Sequence, residues 1–103
     1  MRVIAKKTLR EFWDAPQYSD SEEPLKAWYQ EAKQAIWQTP ADVKSQYRNA
    51  SILKNNRTVF NIAGNKYWLV VEINYLVQII FIRFIGTHQE YDKIDVETIW
   101  TPL

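Results

Sequence analysis

Ile79-Ile-Phe-Ile-Arg83-Phe-Ile-Gly86-Thr-His88-Gln-Glu-Tyr91-Asp92 is the stretch whose reading decides the fold. Its apolar run, extended back to Leu76 and ending at Ile85, reads as a strand buried on both faces, the pattern of a central strand. Gly86-Thr87 closes it, and residues 89–94 suit a helical turn. Arg83 stands inside the run, and a guanidinium removed from water requires an anionic partner. That partner is either a carboxylate, with Glu72 and Asp92 as candidates, or the phosphate of a ligand. His88 is the chain's one histidine. As the side chain that ordinarily titrates near neutrality it is the natural proton-transfer group, the alternative being a surface or hydrogen-bonded structural residue. Tyr91 is placed to stack on a base, to donate a proton or simply to pack.

Working outward, the preceding segments share the two-residue period of strands. Thr58–Ile62 and Lys66–Asn74 flank Ala63-Gly64-Asn65, which suits a tight hairpin turn. In the second strand Tyr67, Leu69, Val71 and Ile73 form an apolar face for packing, while Lys66, Trp68, Val70, Glu72 and Asn74 mark a partly open face. Lys54, Arg57 and Lys66 are expected to rim that face, as phosphate contacts or as a solvated charged edge. Arg48–Asn56 reads as a polar turn anchored by Ile52 and Leu53.

The first half has helical spacing. Leu25, Trp28, Tyr29, Ala32 and Ile36 form one stripe of a helix from Pro24 to about Gln38. Thr39-Pro-Ala-Asp42 caps a second helix ending near Tyr47. Thr8 and Glu11 suggest a capping box for a short helix through Trp13. Met1–Ile4 is a short strand, 14–23 a loop, and Val96–Leu103 a tail that folds back or frays. Together these predict an α+β domain, an N-terminal strand and helices packed on one face of a mainly antiparallel sheet.

The composition narrows the function. A chain of 103 residues, 47% hydrophobic and 15% aromatic, is a single globular domain, residues 1–103. Absence of cysteine excludes disulfides and thiol catalysis, and with a single histidine it argues against a zinc site. The N-terminus lacks the apolar region of a signal peptide, and the longest apolar run is about half of a membrane span, which predicts a cytoplasmic protein without a membrane partner. The net charge is +1, yet residues 44–93 hold seven basic and three acidic side chains, a modest signal for a polyanionic partner. With glycine only at 64 and 86, there is no Gly-rich phosphate loop.

Several segments resemble the HigB family of toxins, relatives of the RelE and ParE superfamily. These are Lys54-Asn-Asn-Arg57, Val59-Phe-Asn-Ile62, Gly64-Asn-Lys-Tyr67, Ile73-Asn-Tyr75 and, above all, Ile82-Arg-Phe-Ile-Gly-Thr-His-Gln-Glu-Tyr-Asp-Lys-Ile94. Met1–Leu9 and the Leu25-Lys-Ala-Trp-Tyr29 helix fit the same pattern. The resemblance implies a RelE-like fold and a cofactor-free, metal-free endoribonuclease cutting messenger RNA on the ribosome. It also implies neutralisation by a helix-turn-helix antitoxin, HigA, through which alone operator DNA is met. It would make His88, Arg83 and Tyr91 catalytic and place RNA on Lys54, Arg57, Lys66 and Trp68. Family members carry arginine directly after Asn-Lys-Tyr, where this chain has Trp68. Loss of one transition-state donor costs on the order of a hundredfold in rate, so weakened activity is expected. The other class in play is a ParE-like toxin that binds a topoisomerase without cutting RNA. Trp13, Trp28 and Trp37 exceed what a small core easily hides, so the aromatic N-terminal helices are the expected antitoxin surface.

Overall fold

A computed structural model of the chain describes residues 1–99. Strand β1 (Arg2–Ile4) is followed by helix α1 (Lys6–Asp14), a 3-10 segment (Pro16–Ser21), α2 (Glu22–Gln34) and α3 (Pro40–Gln46). Then come β2 (Ser51–Ile52), β3 (Arg57–Ile62), β4 (Tyr67–Asn74), β5 (Ile79–Thr87) and the single turn α4 (His88–Tyr91). The sheet order is β1-β5-β4-β3-β2, with β1 parallel to β5 and every other pair antiparallel. This is the α+β arrangement the sequence predicts, and the apolar stretch forms β5, flanked on both sides.

The inner face follows the period of two. Tyr67, Leu69, Val71 and Ile73 of β4, with Ile80 and Ile82 of β5 and Phe60 of β3, enter one core with Leu9, Leu25, Trp28 and Ala32 of the helices. Full burial of each such side chain contributes roughly 1.5–3 kcal/mol, enough to fix which way every strand faces.

Element boundaries differ where local chemistry overrides periodicity. Helix α1 starts at Lys6 with no side-chain cap, so Thr8 and Glu11 form no capping box. Helix α2 ends at Gln34, which leaves Ile36 76% exposed and outside the predicted stripe, while Trp37 turns back into the core. The Thr39 and Asp42 capping box does open α3. Strand β5 begins at Ile79 rather than Leu76, because Leu76 and Val77 sit at the tip of the β4–β5 turn, 93% and 54% exposed. Ile52, expected to anchor its turn, lies exposed on the edge strand.

The segment at 14–23 is packed. Tyr18 stacks on Phe12 with ring centroids 4.4 Å apart, and Asp20 accepts a 2.5 Å hydrogen bond from the Tyr67 hydroxyl and pairs with Lys66. Hydrogen bonds from Lys66 and Tyr67 hold the Asp20 carboxyl below its ordinary value.

The outer face is partly open, as predicted: Trp68 and Glu72 are half-buried and Lys66 and Asn74 exposed, while Val70 and its register partner Val59 are buried. After α4 the chain returns towards the β2–β3 turn. The Lys54 amide donates to Glu97 Oε2 at 3.2 Å, Asn55 Nδ2 to the Glu97 carbonyl at 3.0 Å and Arg57 Nη2 to the Ile99 carbonyl at 2.9 Å. Val96–Ile99 thus folds back. The rest of the tail, including Trp100, lies outside the described residues.

Candidate active site

The site is set by an irregularity in β5. Val70 pairs with Phe84 but Val71 pairs with Ile82, so Arg83 is an extra residue, a β-bulge. The bulge aims Arg83 onto the outer face, where its guanidinium stacks over the Phe81 ring at 4.9 Å. There Glu72 Oε1 accepts from Arg83 Nε at 3.0 Å, from Arg83 Nη2 at 2.8 Å and pairs with Arg57 Nη1 at 2.6 Å. Arg57 and Arg83 are 5% and 3% exposed. Partial burial pushes the Glu72 carboxyl up, but hydrogen bonds from Arg83 and Arg57, with their charges, outweigh it and hold it below the ordinary carboxylate value. Glu72, one of the carboxylates the sequence allowed, is thus a partner of Arg83. Arg57 is likewise no rim residue: its place opposite Glu72 in the β3–β4 register puts it in this buried trio.

At the other end of β4 a second cluster forms. Trp68 lies opposite Gly86, and its indole stacks on His88 at 4.9 Å and 29° and on Tyr91 at 4.4 Å and 49°. Helix α4 carries both partners and is fixed by a capping box: Thr87 Oγ1 accepts from the Glu90 amide at 3.2 Å, and Glu90 Oε1 accepts from the Thr87 amide at 2.9 Å. His88 is exposed, with Nε2 3.6 Å from Asp92 Oδ1. Burial and the Asp92 carboxylate raise the Tyr91 hydroxyl above its ordinary value, so it is a neutral donor rather than a base. Gly86 is needed for space rather than for a turn. A Cβ there would come within 2.7 Å of Phe84 Cζ and 3.0 Å of Glu90 Oε1. Gly86→Ala should therefore cost about 1–2 kcal/mol in urea denaturation and shift the α4 resonances in NMR spectra.

The structure thus brings His88, Tyr91 and Trp68 together and separates them from Arg83. Trp68 and Glu72 are four residues apart, about 13 Å along a strand. Lys54 is exposed beside the β2–β3 turn, and Lys66 pairs with Asp20 towards the helix layer, so the three expected RNA-binding cations do not converge. Asp92 beside His88 and Asn65, whose carbonyl accepts the Trp68 indole N–H at 3.3 Å, complete the cluster. Asn65 is absent from the expected site set; its sequence signal is its place in the Ala63-Gly64-Asn65 hairpin turn, where it takes a left-handed φ of 78°. Among the described residues no group of three or more His, Cys, Asp or Glu is arranged to hold a metal, and no helix is long and apolar enough to cross a membrane.

A mainly antiparallel sheet backed by N-terminal helices is a RelE-like α+β fold, with the histidine and aromatic cluster at the end of β5. The chain belongs to the HigB toxin family: residues 21–94 match the family described as the RelE-like toxic component of a toxin-antitoxin system. It is 27% identical over 96 residues, 91% of each chain, to the mRNA interferase HigB of Escherichia coli O6:H1 (strain CFT073). Membership implies an antitoxin partner. The expected antitoxin surface on the helices loses its premise, since Trp13, Trp28 and Trp37 are all buried in the core. The large apolar side chains left exposed among the described residues are Ile36, Ile52, Leu76 and Val77.

Proposed function

We propose that the chain is a cytoplasmic endoribonuclease that cuts messenger RNA on the ribosome without a metal and is neutralised by a HigA-like antitoxin. The supporting observation is the juxtaposition of an exposed imidazole, a phenol held protonated and an indole face in one cluster at the end of β5. His88 takes the proton of a ribose 2′-hydroxyl. The 2′-oxygen then bonds to the adjacent phosphorus, the bond from phosphorus to the 5′-oxygen breaks, and Tyr91 protonates the leaving oxygen. Trp68 presents a face for a base. Lys54 and Lys66 serve as outer contacts to the phosphate backbone, while Arg83 and Arg57, both bound to Glu72, hold the sheet that carries the cluster.

Among the described residues the aromatic contacts of His88 and Tyr91 run to Trp68, in the place where family members carry arginine, which supports a slow enzyme and the ParE-like reading as the second candidate. Trp68→Arg is expected to raise cleavage by about a hundredfold. The test is purified protein on a translated message, with products sequenced at their ends. 2′,3′-Cyclic phosphate and 5′-hydroxyl ends are expected. Intact message together with inhibited topoisomerase supercoiling would replace this reading by the second.

A further inference from the structure

Beside the Trp68 cluster, across one strand, is a cavity of about 410 Å³ with no role in the chemistry above. Its lining is unusual in charge and donor type. Gln46, Asn49, Asn61 and Asn65 are four carboxamide residues among its lining, Arg48 is the one formally charged residue there, and half-buried Tyr47 supplies an aromatic wall backed by the buried Phe60. The Tyr47 hydroxyl is committed to Glu31, and its ring meets Phe60 edge-on at 5.0 Å. Gln46 Oε1 accepts from Trp37 Nε1 at 3.1 Å, which leaves the Gln46 amide as donor. At Gly64 the position of a missing Cβ meets nothing within 4 Å, so the mouth is open on that side.

The cavity adjoins the cluster through two residues. Asn61 is the register partner of Trp68, which sets their side chains on the same face about 5 Å apart. Asn65 lines the cavity and binds the Trp68 indole through its carbonyl. The sheet edge is also free here. The β2–β3 ladder ends at the Ser51 and Val59 pair, and the Arg57 carbonyl bonds outward to the Leu53 amide. By the two-residue alternation of an antiparallel strand, the backbone groups of Asn61 face outward too.

Carboxamides read the donor and acceptor edge of a base, an aromatic ring such as that of Tyr47 holds its plane, and a lone cation suits the phosphate that accompanies it. We infer that this cavity is a nucleobase subsite, taking the nucleotide beside the one stacked on Trp68 and setting the sequence preference of cleavage. The inference rests on the endoribonuclease reading.

Asn49→Ala, at an exposed loop position, and Asn61→Ala test it. Each is expected to lower the ratio of cleavage at preferred over disfavoured sites about tenfold, the discrimination carried by one paired carboxamide. In parallel, 5′-AMP, GMP, CMP and UMP are titrated into the parent while the side-chain amide resonances of Asn49 and Asn61 are followed by NMR, with one nucleotide expected to shift them more strongly than the others. If message is cut but the amides do not respond and the site ratio is unchanged, the subsite is refuted. Equal response to all four nucleotides refutes base reading. If no RNA is cut while one nucleotide selectively shifts these amides, the endoribonuclease reading falls and the subsite stands.

Discussion

Glu72→Ala is expected to destabilise the fold by about 3–5 kcal/mol, the range for removing one partner of a buried ion pair. Two guanidiniums, each nearly inaccessible to water, converge on a single carboxylate oxygen, so its removal takes an ion-pair partner from both. Urea denaturation should show a lower midpoint at unchanged slope. The pH dependence carries the same signature. Because the folded carboxyl lies below its ordinary value, its contribution is complete above the unfolded value of about 4.3 and is lost as pH falls through the lower folded one. The parent should lose stability in acid below about pH 4, and Glu72→Ala should show less of that loss. A triple replacement of Glu72, Arg57 and Arg83 by apolar residues of similar volume should recover most of the stability, because no charge is then left unpaired. Near-native stability of Glu72→Ala alone would mean that the trio does not hold the outer face together.

The legible part of this chain was the part in which burial repeats with a fixed period. The alternation from Tyr67 to Ile73 and the apolar run of β5 gave the sheet its faces, and the stripe of Leu25, Trp28 and Ala32 gave the helix that covers it. What escaped depends on single residues or on distant chain. Periodicity cannot announce a bulge, since one extra residue at Arg83 changes the register without changing the composition of the strand. Without the bulge, the sequence allows Glu72, Asp92 or a phosphate as the partner of that arginine and places Arg57 on the rim. The return of the chain after α4 is of the same kind, since no local signal says that Glu97 and Ile99 bond to Lys54, Asn55 and Arg57. Of the candidate site, His88, Tyr91 and Trp68 meet as neighbours because a capped turn directly follows the strand opposite Trp68. The basic side chains expected beside them lie on the loop and hairpin that rim the sheet, and that placement does not say which way each side chain points.

His88→Ala is expected to lower cleavage by a hundredfold to ten-thousandfold, the usual contribution of a positioned proton-transfer group. The imidazole is exposed and its nearest carboxylate, on Asp92, is 3.6 Å away, so little of the fold depends on it and stability should change by less than about 1 kcal/mol. That separation of activity from stability distinguishes His88 from Arg83. Arg83→Ala removes a guanidinium from the buried trio and is expected to lose stability first, with any loss of cleavage following from it. Tyr91→Phe provides the complementary control. It keeps a ring against Trp68 but removes the hydroxyl that burial and Asp92 hold protonated, so substrate affinity should persist while turnover falls. Cleavage by His88→Ala equal to that of the parent would remove the imidazole from the mechanism and leave Tyr91 and Trp68 as binding residues. A fall in cleavage that tracks stability across all three variants would assign the whole cluster to packing.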